Sequence, residues 1–220
     1  MVNKDNYLNI LNQIGPNTKL IAVSKTKPIE DIQALYDLGQ RDFGENRVQE
    51  LVEKQALLPQ NIRWHLIGHL QTNKVKQVLP FVYMIHSIDS IKLMEEIQKQ
   101  AQLLNIPKVR ILLQIFIAQE ETKTGFSITE LDEMLINRIQ TYTHLEINGL
   151  MGIATHTENE SIIQNEYAHI EKIFNDLKPH FKTSFKELSI GMSSDYTIAM
   201  NFGTTYIRVG SLLFGERNKI

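Results

Sequence analysis

"KLIAVSKTKPIEDIQALYDLG", residues 19–39, decides the fold. Its first six residues are a short apolar run of the kind that forms a parallel strand covered on both faces. Two lysines follow, Lys25 and Lys27, and then Pro28, whose fixed backbone suits a first helical position. Ile29, Ile32, Leu35, Tyr36 and Leu38 recur at roughly helical spacing, and Gly39 stops the helix. The stretch reads as strand, loop and helix, with a lysine where the strand ends.

The same texture recurs along the chain. Apolar runs at 41–45, 63–68, 82–87, 109–118, 145–153, 186–191 and 205–210 predict seven further strands. Amphipathic segments at 46–57, 72–79, 90–104, 127–140, 158–178 and 194–202 predict helices between them, and a helix near 5–14 leads the first strand. Alternating strands and helices imply parallel βαβ units. Eight strands in 220 residues favour one closed (β/α)8 TIM barrel, a fold of typically ~250 residues that can shrink to ~200. An open doubly wound sheet has the same local pattern and is the competing reading. No linker or low-complexity stretch divides the chain, so residues 1–220 are read as one domain.

Composition narrows the function. Hydrophobic residues make up 42% and charged residues 22%, an ordinary globular mix, and the formal net charge is −2. No global basic field draws nucleic acid or an acidic membrane, and the seven tyrosines are too scattered to form a base-stacking surface. The absence of cysteine excludes disulfides, thiolate metal sites and a cysteine nucleophile. Neither a signal peptide nor an apolar run of the ~20 residues needed to span a bilayer is present. A cytoplasmic protein is expected.

In a barrel, functional groups gather at the C-terminal strand ends and the loops that follow. Lys25 stands at such an end. It reads either as a hydrated loop lysine or, if desolvated at a barrel mouth, as a Schiff-base nucleophile. After the seventh strand come Gly191, Ser193 and Ser194, and after the eighth Gly210 and Ser211. Small residues and hydroxyls of this kind make turns, and they also cradle phosphate. Arg208 lies inside an apolar strand, where it needs a carboxylate partner or a ligand heteroatom. Amine, phosphate cradle and arginine together suggest pyridoxal 5′-phosphate. His65 and His69, four apart across a strand end, are too far separated along it to hold a metal, and His156 reads as a solvated loop residue.

A set of motifs adds a resemblance. "AVSKTKP" (22–28), "FGENRVQE" (43–50), "WHLIGHLQTNK" (64–74) and "HSIDS" (86–90) are followed by "ETKTGF" (121–126), "GLMGIA" (149–154), "IGMSSD" (190–195) and "IRVGSLLFGER" (207–217). In this order, over nearly the whole chain, they resemble the pyridoxal phosphate homeostasis proteins of the YggS/PROSC type, related to the alanine racemase N-terminal barrel. The resemblance implies a barrel of that type without the racemases' C-terminal β-domain. It implies a Schiff base at Lys25, Arg208 facing the pyridine nitrogen, Asn46 beside the ring, and Ser193, Gly210 and Ser211 on the phosphate. His65, Ser87, Met151, Gly191, Met192 and Ser194 form a wider ring of candidate cofactor-binding residues. One departure is Ser211, where the family motif has threonine; the hydroxyl is kept.

Two functional classes follow. The first is a carrier or buffer of pyridoxal phosphate, expected as a monomer that serves apo-enzymes as acceptors. The second is a pyridoxal-phosphate-dependent amino-acid racemase. Racemisation needs two bases, and in racemases the second is a tyrosine tied to the β-domain. The chain ends at Ile220, directly after the last strand, so the non-catalytic carrier is expected. A barrel that has lost its ligand is the third possibility, opposed by the intact set of Lys25, Ser193, Arg208, Gly210 and Ser211.

Overall fold

The computed structural model describes residues 2–118, 125–127, 131, 141–181 and 184–215. Eight parallel strands run in sequence order around a closed barrel: β1 (Lys19–Val23), β2 (Asp42–Glu45), β3 (Arg63–Leu66), β4 (Met84–Ile88), β5 (Val109–Ile115), β6 (Leu145–Gly152), β7 (Glu187–Met192) and β8 (Tyr206–Val209). Closure rests on the β8–β1 pairing, with Ile21 opposite Arg208, which excludes the open sheet. Parallel neighbours require crossovers, and most are helical. They are α2 (Ile29–Asp37), α3 (Val48–Leu57), α4 (Val75–Val78), α5 (Ile91–Leu103), α6 (Glu160–Leu177) and α7 (Tyr196–Ala199), with α1 (Lys4–Gln13) ahead of β1. The helix expected over 127–140 lies almost wholly outside the described residues.

Two local differences from expectation have simple causes. Pro28 takes the N-cap position of α2 rather than its first turn, with extended backbone (φ −70°, ψ 161°). A helix that the sequence pattern did not reveal, α8 (Ser211–Phe214), follows β8. Four residues are too few to display a helical period. The backbone N–H of Asn3 donates to Leu213 O at 2.8 Å, and Asn6 Nδ2 to Leu212 O at 2.9 Å, so α1 seats α8.

The barrel interior is filled in layers. Ile21, Met84, Leu112, Met151 and Tyr206 form an inner apolar plug, separate from the larger core between strands and helices. In β6 an extra residue, Asn148, falls between the pairings Ile111–Ile147 and Leu112–Gly149. Gly149 (φ +151°) is required at this bulge, since a Cβ would sit 1.7 Å from Glu187 O.

At the base, where β2 and β3 begin, Arg63 Nε donates to Asp42 Oδ1 at 2.7 Å and its Nη2 binds Asp42 Oδ2. Burial alone would raise the Asp42 pKa, but hydrogen bonds and charge from Arg63 and His65 outweigh it and hold it at about 2. The native state therefore binds this proton more weakly than the unfolded chain. Its contribution, about 2 kcal/mol, is complete above the ordinary value of 3.8 and vanishes as pH falls through about 2. Asp42→Asn is expected to be less stable than wild type by about that amount at pH 7, with the gap closing toward pH 2. Denaturant unfolding at several pH values checks this, and a gap independent of pH would refute the assignment.

Candidate cofactor site

The loop after β1 is fastened on both sides of Lys25. Ser24 Oγ donates to Glu45 Oε1 at 2.6 Å. Lys54 Nζ, from α3, donates to Ser24 O at 2.9 Å, Glu45 Oε1 at 2.7 Å and Glu50 Oε2 at 3.3 Å. Thr26 N–H donates to Glu50 Oε2 at 2.8 Å. Thr26 has φ +62°, a left-handed backbone that a β-branched residue adopts only when its surroundings over-determine it. The strain turns the chain sharply at the strand end, and Lys25 is half-buried there. Burial pushes the Glu45 carboxyl up, against the opposing pull of Lys54 and Ser24. Burial also acts to raise Glu50, but the Thr26 N–H and Lys54 outweigh it and hold it low. Lys27, a lysine without an assigned role in the sequence, donates to Phe214 O at 2.9 Å and Gly215 O at 3.1 Å, the carbonyls that close α8.

Beside this loop, the ends of β7 and β8 are tied together. Ser193 Oγ accepts from the Gly210 N–H at 3.1 Å. A Cβ at Gly210 would stand 3.2 Å from Val23 O and 3.3 Å from Val23 Cβ, so β8 passes close to β1. Arg208 is buried; Nη1 donates to Ser189 O at 2.6 Å and Ser189 Oγ at 2.7 Å, and Nη2 to Gly152 O at 2.8 Å. These are neutral oxygens of the barrel wall, not the carboxylate that a charged residue in an apolar strand ordinarily demands.

These elements enclose a cleft of about 550 Å³ at the C-terminal mouth of the barrel, within the range of small-molecule sites. Lys25 and Asn46 line it after β1 and β2; Met192, Ser193 and Ser194 line it at the end of β7; Arg208, Gly210 and Ser211 line it from β8 onward. The remaining four candidates take other places. His65 is buried a layer lower, with Nε2 2.9 Å from Asp42 Oδ1 and Nδ1 2.9 Å from His86 Nε2. Met151 belongs to the inner plug, since its strand position faces the barrel axis below the mouth. Ser87 donates to Gly68 O at 2.6 Å, and Gly68 lies against Asn46, where a Cβ would meet Asn46 O at 2.3 Å. Ser87 therefore props the Asn46 backbone from behind. Gly191 (φ +93°) admits α7, because a Cβ would press on Ala199 Cβ at 2.8 Å.

Sequence reasoning missed Ile67, Ile153 and His156, which also line the cleft. Ile67 was findable by period-two alternation from His65. His156 is exposed, as expected of a loop, and the loop is held at the rim because Thr155 donates through N–H and Oγ1 to Glu166 at 2.7 and 2.6 Å. His69 pairs with Asp89 at 2.9 Å, well apart in its contacts from His65. Among the described residues no cluster of histidine and acidic side chains is arranged for a metal, and no helix is long and apolar enough to cross a membrane.

A parallel barrel with its cleft at the strand ends, lysine just after β1 and arginine on β8, falls within a class recognised from sequence: the family model described as alanine racemase, N-terminal domain, matches residues 3–218. The chain is 38% identical over 200 residues to the pyridoxal phosphate homeostasis protein of Aquifex aeolicus, covering 90% of this chain and 87% of that one. PipY of Synechococcus elongatus PCC7942, solved with PLP bound, superposes with a TM-score of 0.86 at 35% identity, covering 96% of this chain and 99% of that one. Alanine racemase from Bartonella henselae shares the fold at 20% identity, with a TM-score of 0.75; the match covers 94% of this chain and 56% of the racemase. The chain belongs to the pyridoxal phosphate homeostasis protein family.

Proposed function

We propose that the protein binds pyridoxal 5′-phosphate in this cleft through a covalent bond to Lys25, and that it keeps the cofactor and passes it to apo-enzymes. When bound, the cofactor supplies an aldehyde that condenses reversibly with a primary amine and releases water. Lys25 offers that amine. Ser193, Gly210 and Ser211 are assigned to the phosphate, Arg208 to the ring nitrogen and Asn46 to the flank of the ring. The observation that carries the reading is the convergence of amine, hydroxyl cradle and arginine on one cleft. The donor set fits a phosphorylated aldehyde. Because Ser193 Oγ already accepts from Gly210, its O–H remains to donate to an anion. The related PipY structure holds PLP.

Two features support holding rather than turnover. Arg208 remains a cation and opposes protonation of a ring nitrogen beside it, and an unprotonated ring is a weaker electron sink for carbanions. Among the described residues that line the cleft there is no tyrosine to act as a second base. With added cofactor, the protein is expected to gain a visible absorption band, to hand cofactor to an apo-enzyme, and to leave L-alanine unracemised. Racemisation that disappears in Lys25→Ala would replace the carrier with the racemase. Absence of any band would remove the cofactor.

A further inference from the structure

Beneath the cleft a chain of buried polar groups crosses the barrel from mouth to base. Ser189 Oγ accepts from Arg208 Nη1 at 2.7 Å and lies 3.0 Å from His86 Nδ1. His86 Nε2 lies 2.9 Å from His65 Nδ1, and His65 Nε2 2.9 Å from Asp42 Oδ1. Ser189, His86 and His65 are fully enclosed. Burial holds both imidazoles below the usual histidine range, His86 the more so because the charges of His65 and Arg208 add to it.

The two ends of the chain have fixed character. A guanidinium can only donate, and an ionised carboxylate can only accept. A neutral imidazole has one N–H and one lone pair. The Asp42 end therefore requires the proton of His65 on Nε2, leaving Nδ1 to accept. His86 must then carry its proton on Nε2 and accept at Nδ1 from the Ser189 hydroxyl. The Ser189 lone pairs are left for Arg208. With neutral imidazoles, one arrangement satisfies every contact, and each hydrogen bond in it points from mouth to base.

We propose that Ser189, His86, His65 and Asp42 are positioning residues for Arg208, a one-directional hydrogen-bond chain that keeps its guanidinium at the floor of the cleft and so keeps the cofactor's ring nitrogen unprotonated. The inference rests on the reading of the cleft as a pyridoxal phosphate site. It concerns the electronic state of the ring, whereas that reading concerns the bond to Lys25, and the two fail separately.

The test uses full-length protein loaded with pyridoxal phosphate carrying 15N in the ring, with the nitrogen resonance read at pH 7. Borohydride labelling of Lys25 is measured in parallel. Wild type is expected to give an unprotonated ring nitrogen. Ser189→Ala, which removes a single oxygen, is expected to raise the ratio of protonated to unprotonated ring at least about tenfold, roughly one pKa unit. His86→Leu, one step further from Arg208, is expected to do the same. His86→Gln, whose amide can accept from Ser189 and donate to His65, is expected to restore the wild-type signal. A merely structural role would lower stability without moving the resonance. A protonated ring in wild type, or an unchanged resonance in Ser189→Ala with Lys25 still labelled, overturns the positioning chain and leaves the cofactor site standing. Failure to label Lys25 in wild type overturns the site itself.

Discussion

Lys25→Ala is expected to lose both the visible band and the borohydride-stable label, and to bind pyridoxal phosphate at least about 100-fold more weakly, near 3 kcal/mol. The variant should fold. The anchors that shape the loop are the Ser24 hydroxyl and carbonyl and the Thr26 N–H, and all of them remain. The hydroxyl cradle and Arg208 also remain, so residual non-covalent binding is expected rather than none. Lys27 should not take over the label, because its amine is engaged by the Phe214 and Gly215 carbonyls at the end of α8. Peptide mapping after reduction distinguishes these outcomes. A label retained in Lys25→Ala, or carried by Lys27 in wild type, would show that the lysine has been misassigned.

Lys54→Met should produce the largest loss of stability. Its ammonium is nearly buried and is the cation paired with Glu45, whose carboxylate is fully enclosed and whose Oε2 has no hydrogen-bond partner among the described residues. Removing one member of a buried pair costs about 3–5 kcal/mol because the other charge is left uncompensated. In a chain of this size that corresponds to a fall in Tm on the order of 10 °C. The pH dependence has a definite sign. Glu45 already has a raised pKa from burial, so the folded state binds its proton more tightly than the unfolded chain does. Without Lys54 that difference grows, and the variant should recover stability as pH falls and lose it as pH rises through the folded pKa of Glu45. Adding Glu45→Gln should restore much of the loss. Because Lys54 also holds the Ser24 carbonyl, reduction should label Lys25 more slowly in the single variant. Thermal and denaturant unfolding that place the loss below about 1 kcal/mol would mean that the pair behaves as a solvated one.

Legibility in the sequence followed the range of the interactions. Each strand was visible as its own apolar run, because burial on both faces leaves a local mark. Closure left no local mark, since it depends on β1 meeting β8 across nearly the whole chain; the count of eight strands and the motif resemblance carried that expectation. The cleft residues Lys25, Ser193, Arg208, Gly210 and Ser211 stand at strand ends, where the fold class itself says to look. The support beneath them was illegible. His86 and Ser189 are 103 positions apart, and no spacing rule joins a histidine in one apolar run to a serine in another. Nothing in the sequence sets Lys54, four residues after Glu50, apart from a helix-surface lysine. That it turns inward follows only from where α3 lies on β2.

The seating of α8 by α1 has a consequence for the order of events during synthesis. Lys25 leaves the ribosome well before residues 192–211, which complete its cleft, and α8 then docks on a helix made long before it. Contacts of such sequence separation form late and slowly. The nascent chain therefore carries the Lys25 amine without a cleft around it until those residues have emerged, and on the proposed reading cofactor capture would wait for the closed barrel and so report a finished fold.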